Sequence, residues 1–263
     1  MNKRSQTLGF LAAVSVFLLA SPSPGRAADE GGRVDCPLAA EEFKPDPAAT
    51  SRFFEGRCRW DSTGVNPFWS LQPGYQLVLE SDEAILFITV LDQTRVVAGV
   101  KTRVIEEFEY EKDGNERIPI ERSLNYYAIC RQTNSVFYFG EDVEFFDEDG
   151  NVTSSEGTWL AGRNGAKPGI VMPGTLLVGG KYYEEIAPED DALDKGEIRS
   201  LRWGCEAGGK KFNRACLAIS GSNDCDADID EKRYVKDVGI VADGDLEIKS
   251  WGFVDDDDEK DDD

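Results

Sequence analysis

The chain has 263 residues, with 51 acidic against 29 basic side chains, six cysteines, no histidine and a formal net charge of −22. That balance excludes nucleic acid as a partner, because phosphate contacts need basic surface, and it favours cations or cationic proteins as company. Without histidine there is no Ser-His-Asp or Cys-His catalysis and no His-based metal centre.

Residues 1–27 read as a secretory signal peptide. Lys3 and Arg4 form a positive start, Leu8 to Ala20 is uncharged but too short to span a bilayer, and Gly25 and Ala27 are the small residues that cleavage after Ala27 requires. The protein is therefore expected to be exported, to the periplasm or beyond. No later apolar run is long enough for a helical membrane span. Residues 28–65 are polar and irregular and form an expected N-terminal extension. Residues 66–253 read as a single β domain. The acidic tail, 254–263, repels itself and is expected to be disordered.

An even cysteine count in an exported chain implies disulfides among Cys36, Cys58, Cys130, Cys205, Cys216 and Cys225. Proximity in sequence suggests Cys36–Cys58, a pair within the last three, and the remaining one reaching Cys130. Zinc is a poor alternative, with no CxxC pair and no histidine.

The β region opens at Asn66 with a turn at Pro73-Gly74. Tyr75, Leu77 and Leu79 alternate in a first strand, and Ala84 to Leu91 is apolar on both parities, as in a strand covered on two sides. Ala98-Gly99 turns into Val100 to Glu111, where the step from Ile105 to Phe108 suggests a bulge. After a turn at Lys112 to Asn115, Ile118, Ile120, Leu124, Tyr126, Ala128 and Cys130 hold one parity. Next, Phe137, Phe139, Val143 and Phe145 share a face opposite Tyr138, Asp142 and Glu144, with Gly140 marking a bulge. Asp149-Gly150 makes a hairpin turn. A long Gly/Pro loop with apolar residues follows Trp159. Shorter strands then lead to a closing hairpin around Asp243-Gly244.

Such long, alternating, turn-linked strands specify a mainly β protein: a strongly curved antiparallel meander or an open β-barrel-like domain with a long Gly/Pro loop. Its interior is expected to be oily, with the carboxylates outside in water.

Two loops carry alternating oxygen ligands suited to Ca2+: Asp147, Asp149 and Asn151, and Asp224, Asp226 and Asp228. The first is not an EF-hand. With Asp147 as first ligand, Val152 falls where that loop needs glycine and Thr158 where it needs glutamate. Trp69, Trp159, Met172 and Tyr182 could line a small apolar ligand site beneath the Gly/Pro loop. No phosphate loop or nucleophile elbow is present. A two-carboxylate glycoside hydrolase needs only two placed acids, so composition leaves it open.

NPFWSLQPG, LNYYA, VFYFGED, SSEGTWLAGRNGAKPGIVMPG and YVKDVGIVADGDLEI occur here in an order that resembles a group of exported bacterial β-rich proteins without an assigned activity. The resemblance runs from Asn66 to Trp251 and is most specific over Gly157 to Pro173. It implies a secreted β domain and carries no catalytic residues. The cysteine-bearing extension, the Cys205 to Cys225 region and the acidic tail depart from the pattern. The sequence thus points to an exported, non-catalytic binding or structural protein, with Ca2+, an apolar ligand or an envelope partner as candidates.

Overall fold

A computed structural model describes residues 36–114, 116–225 and 229–254. The expected signal peptide, Asp226, Asp228 and the tail beyond Val254 lie outside the described residues. About 62% of the described residues are strand, and there is almost no helix among them.

The N-terminal part contributes three short strands, β1 (Trp60–Asp61), β2 (Val65–Asn66) and β3 (Trp69–Ser70). A run of longer strands follows: β4 (Tyr75–Glu80), β5 (Ala84–Val97), β6 (Val100–Asp113), β7 (Glu116–Cys130) and β8 (Ser135–Phe146). Short segments come next, β9 (Val152–Ser154), β10 (Trp159–Leu160), β11 (Lys167–Met172), β12 (Lys181–Tyr183) and β13 (Glu185–Ile186). The last part holds β14 (Asp194–Ala207), β15 (Lys210–Asn223), β16 (Ile229–Val235), β17 (Gly239–Asp243) and β18 (Leu246–Phe253).

The main sheet runs β12-β14-β15-β16-β17-β18-β4-β5-β6-β7-β8-β11-β13, antiparallel throughout. Its two ends, β12 and β13, are consecutive pieces of one chain segment. Tyr182 pairs with Gly196 on β14, and Glu185 pairs with Pro168 on β11. That segment brings the sheet edges together into a nearly closed barrel, which leaves few unpaired edge groups. The expected mainly β, strongly curved antiparallel architecture is therefore present.

The faces differ from expectation at three places. Between Ile105 and Phe108, β6 pairs regularly with β5, so no bulge lies there. Phe108 simply faces outward, where it stacks on Tyr110 at 4.3 Å, while Glu107 and Glu109 face inward with Ile105. On β7 the apolar parity ending in Tyr126, Ala128 and Cys130 also faces outward. Its partner parity, Glu121, Ser123, Asn125 and Tyr127, faces the interior with Glu109, Glu107, Ile105 and Arg103.

On β8 the register shifts between Tyr138 and Glu141, at the expected Gly140. Gly140 has φ 134°, and a Cβ there would come within 2.4 Å of the Trp159 carbonyl oxygen, so the bulge needs glycine. The bulge flips parity. Phe137 and Phe139 turn outward, whereas Tyr138, Glu141 and Val143 turn inward.

Phe137 and Phe139 remain buried because the N-terminal extension covers them. The Trp60 ring lies 5.0 Å from Phe137 and 5.2 Å from Phe139, and Phe53 packs edge-on to Phe137. Two disulfides hold this cover, Cys36–Cys225 and Cys58–Cys130, and Cys205–Cys216 staples β14 to β15. The expected Cys36–Cys58 pairing is thus replaced by two bonds that tie the extension to the barrel. Cys130 receives Cys58 because β1 runs beside β7, with Trp60 opposite Cys130. Three disulfides fit an oxidising, exported environment. No helix among the described residues is long and apolar enough to cross a membrane.

Candidate functional site

Cross-strand rows show what fills the barrel. One row runs Ile248, Leu79, Leu86, Glu109, Glu121 and Phe145 across β18, β4, β5, β6, β7 and β8. The next includes Leu77, Ile88, Glu107, Ser123 and Val143. Each is oily on β4 and β5 and polar on β6 and β7. The expectation that all carboxylates stay in water is therefore corrected. Glu109, Glu121 and Glu141 are 7%, 9% and 9% exposed.

Glu109 and Glu121 stand directly opposite each other on neighbouring strands. Two like charges so placed repel, and burial removes the water that would screen them. Burial, reinforced by Glu141, Glu109 and Glu107, pushes Glu121 up to about 9. Burial and Asp243 push Glu109 up to about 7. Glu141 is raised to about 8 by burial, against an opposing pull from the nearby Tyr138 hydroxyl. Glu107 is raised to about 7, burial outweighing the attraction of Lys232.

The other side of the interior is built from the closing segment and from β16 and β17. Glu184 is raised to about 8 by burial, and Glu185 well above the usual range by burial and Asp194. Here a cation is built in. Lys232 Nζ lies 3.7 Å from Asp230 and 4.0 Å from Asp243. Burial alone would lower the Lys232 pKa, but Asp243, Asp230, Tyr234 and Glu184 carry it well above normal.

Lys232 is enclosed by protein yet its side chain keeps 18% of its surface free. Two glycines let neighbouring groups approach closely here. A Cβ on Gly196 would come within 2.8 Å of the Tyr182 ring and of Glu184 Oε1, and one on Gly221 within 1.8 Å of Asp230 Oδ1.

Several polar atoms here lack partners among the described residues. Asp243 Oδ2, on a residue 4% exposed, and the Tyr182 hydroxyl, on a residue 5% exposed, make no hydrogen bond, and neither does Asp230 Oδ1. A buried polar atom left unpaired costs about 1–3 kcal/mol. By contrast, Asn125 is engaged: its amide donates to Ser123 Oγ at 2.7 Å, and it accepts from the Tyr138 hydroxyl at 2.5 Å.

The residues singled out from sequence divide between this interior and the surface. Trp159 is buried edge-on to Tyr138, with its indole N–H near Glu141 but at no hydrogen-bonding geometry. Trp69 packs on Tyr127 at 5.3 Å and lies 6.4 Å from Tyr234. Tyr182 is interior, and Met172 is fully buried opposite Val136. Trp159, Met172 and Tyr182 belong to the main hydrophobic cluster, and Trp69 packs against it.

The acidic loops are engaged otherwise. Asp147 Oδ1 accepts from the backbone N–H of Asp149 and Asn151, closing the hairpin turn. Asp149 is exposed. Asp224 accepts from the Tyr183 hydroxyl at 2.5 Å and from Lys195, which ties it to the N-terminal cover through Asp46. Among the described residues, the one grouping of three metal-type ligands is Cys36, Asp191 and Cys225, and its two cysteines are bonded to each other.

An open surface cleft of about 650 Å3 lies between Glu80, Lys112, Gly208 and Lys249. Glu80 there is paired with both lysines. The interior carboxyls escaped sequence reading because Glu107, Glu109, Glu121 and Glu141 sit in strands otherwise rich in surface-type acids. The available signal is the polar parity of β7, Glu121, Ser123 and Asn125, which the structure turns inward.

No family model, curated protein or solved structure matches the chain.

Proposed function

We propose that the protein is an exported, non-catalytic binding protein that takes a small positively charged ligand into the barrel interior. The observation that carries this reading is the imbalance of enclosed charge. Among the described residues, Glu107, Glu109, Glu121, Glu141, Glu184 and Asp243 face one interior ammonium, Lys232, the inward Arg103 being bonded elsewhere. Without a further cation, most of these acids must hold protons at neutral pH. A bound cation lets them ionise and supplies partners to the unpaired oxygens. The location is the periplasm or the extracellular medium, and the resemblance to exported β-rich proteins fits this placement.

The test is calorimetric titration of the full chain with calcium, magnesium and small organic amines, each against a Glu109→Gln/Glu121→Gln variant. Binding by wild type that the variant loses supports the reading, and absence of binding by every cation overturns it.

A second reading, a two-carboxylate glycoside hydrolase, is favoured by Glu141 and Glu121, whose raised pKa values suit a general acid. Release of nitrophenol from an aryl-glycoside panel, lost in Glu141→Gln, would place it first.

A further inference from the structure

We propose that the cation held in the interior is the primary ammonium group of a small organic amine, seated beside Glu109 and Glu121 and facing Asp243. This rests on the reading of the interior as a cation site and names the class of cation. The molecule contains a template for it. On one side of the interior, the Lys232 ammonium stands among Asp230, Asp243 and Glu184. On the other, Glu109 and Glu121 face each other across neighbouring strands, with Glu107 and Glu141 close by, and among the described residues no lysine or arginine on these strands is bonded to them.

The inward basic residue of β6, Arg103, is fully engaged elsewhere. Its guanidinium donates to the Ser62, Leu91 and Gln93 carbonyls, to Thr63 and to Asp92. The second side therefore has the acceptors of the first without its ammonium.

Asp243 connects the two. It lies near enough to Glu107 and Glu109 to raise both, and its buried Oδ2 has no hydrogen bond, only Lys232 at 4.0 Å. An N–H donor between Asp243 and Glu109 would satisfy that oxygen.

A divalent metal fits less well. It needs several oxygens converging on one point at 2.0–2.6 Å, and no three interior carboxylates come close enough together among the described residues. An ammonium needs only dispersed acceptors, and it gains from aromatic neighbours. Tyr127 and Tyr138, stacked at 4.8 Å, line the same wall, and both are coupled to Glu107 and Glu141. The adjoining Leu79, Leu86 and Ile88 offer an apolar surface to the methylenes of an alkylamine.

The experiment is isothermal titration of the disulfide-intact full chain with n-butylammonium, 1,4-diaminobutane and calcium chloride in separate runs. Glu109→Gln and Glu121→Gln are measured beside Glu83→Gln, an exposed turn residue. The expected result is one amine bound per chain, weakened roughly ten- to hundred-fold by either interior variant, the loss of a charged hydrogen bond, and unchanged in Glu83→Gln. Calcium binding that is lost in the interior variants, without amine binding, overturns the ammonium assignment and leaves the cation reading intact. Amine binding indifferent to both interior variants overturns the location. Binding of neither ligand overturns both.

Discussion

The wall formed by β18, β4 and β5 and the wall formed by β6, β7 and β8 share one sheet and adjoin at the β5–β6 hairpin, yet they solve burial in opposite ways. The first turns Ile248, Leu79, Leu86 and Ile88 inward and is held by transfer of apolar surface from water. The second turns Glu107, Glu109, Glu121, Asn125 and Glu141 inward and puts Phe137 and Phe139 outside, under the N-terminal cover. The oily wall stabilises the fold unaided. The acidic wall costs free energy at neutral pH unless its carboxyls are protonated or paired.

Four measurements sharpen that contrast. The largest effect falls on the cover that permits the inversion. Cys58→Ser/Cys130→Ser opens a bond with a sequence separation of 72 residues and is expected to cost about 4 kcal/mol in urea unfolding. Next, Leu79→Ala in the oily wall removes a side chain with no exposed surface and is expected to cost about 3 kcal/mol. A loss below 1 kcal/mol would mean that wall is loosely packed.

The acidic wall is expected to respond with the opposite sign. Glu109→Gln/Glu121→Gln removes two buried carboxyls that face each other and should stabilise the ligand-free protein at pH 8 by about 1–2 kcal/mol. In the wild type, Glu107, Glu109, Glu121, Glu141 and Glu184 have folded pKa values of about 7 to 9, above the ordinary 4.5. The native state then binds more protons than the unfolded one. Stability is full below the ordinary carboxyl pKa and is lost as pH rises through the folded values. Tm should therefore fall from pH 5 to pH 9, and the double variant should flatten that slope. A Tm that rises across the window would refute the enclosed-acid description.

The smallest effects belong to the surface acids. Asp149→Ala should change stability by less than about 0.5 kcal/mol, because its side chain is exposed. Asp147→Ala should cost about 1 kcal/mol through lost turn hydrogen bonds.

Strand existence was legible residue by residue. Tyr75 to Leu79, Ala84 to Leu91 and Ile118 to Cys130 alternate or run apolar as strands do, and Pro73-Gly74, Ala98-Gly99 and Asp243-Gly244 turn where expected. Gly140 was legible as a bulge, but its consequence was not. Once the parity flips there, Tyr138 and Glu141 join the interior and Phe137 leaves it. The candidate site was hidden for the same reason. A period of two separates Glu121, Ser123 and Asn125 from Tyr126 and Ala128, but it does not say which set faces in.

The local sequence alone determined that this chain makes long antiparallel strands, because alternation and turn chemistry act between residues close along the chain. Only the tertiary structure decided which face of each strand is inside. That choice depends on what covers the outside, and here the cover is Trp60 and Phe53 on an extension tied down by Cys58–Cys130. A sheet whose outer face is already sheltered can bury its aromatic parity there, which leaves its carboxyls to the interior.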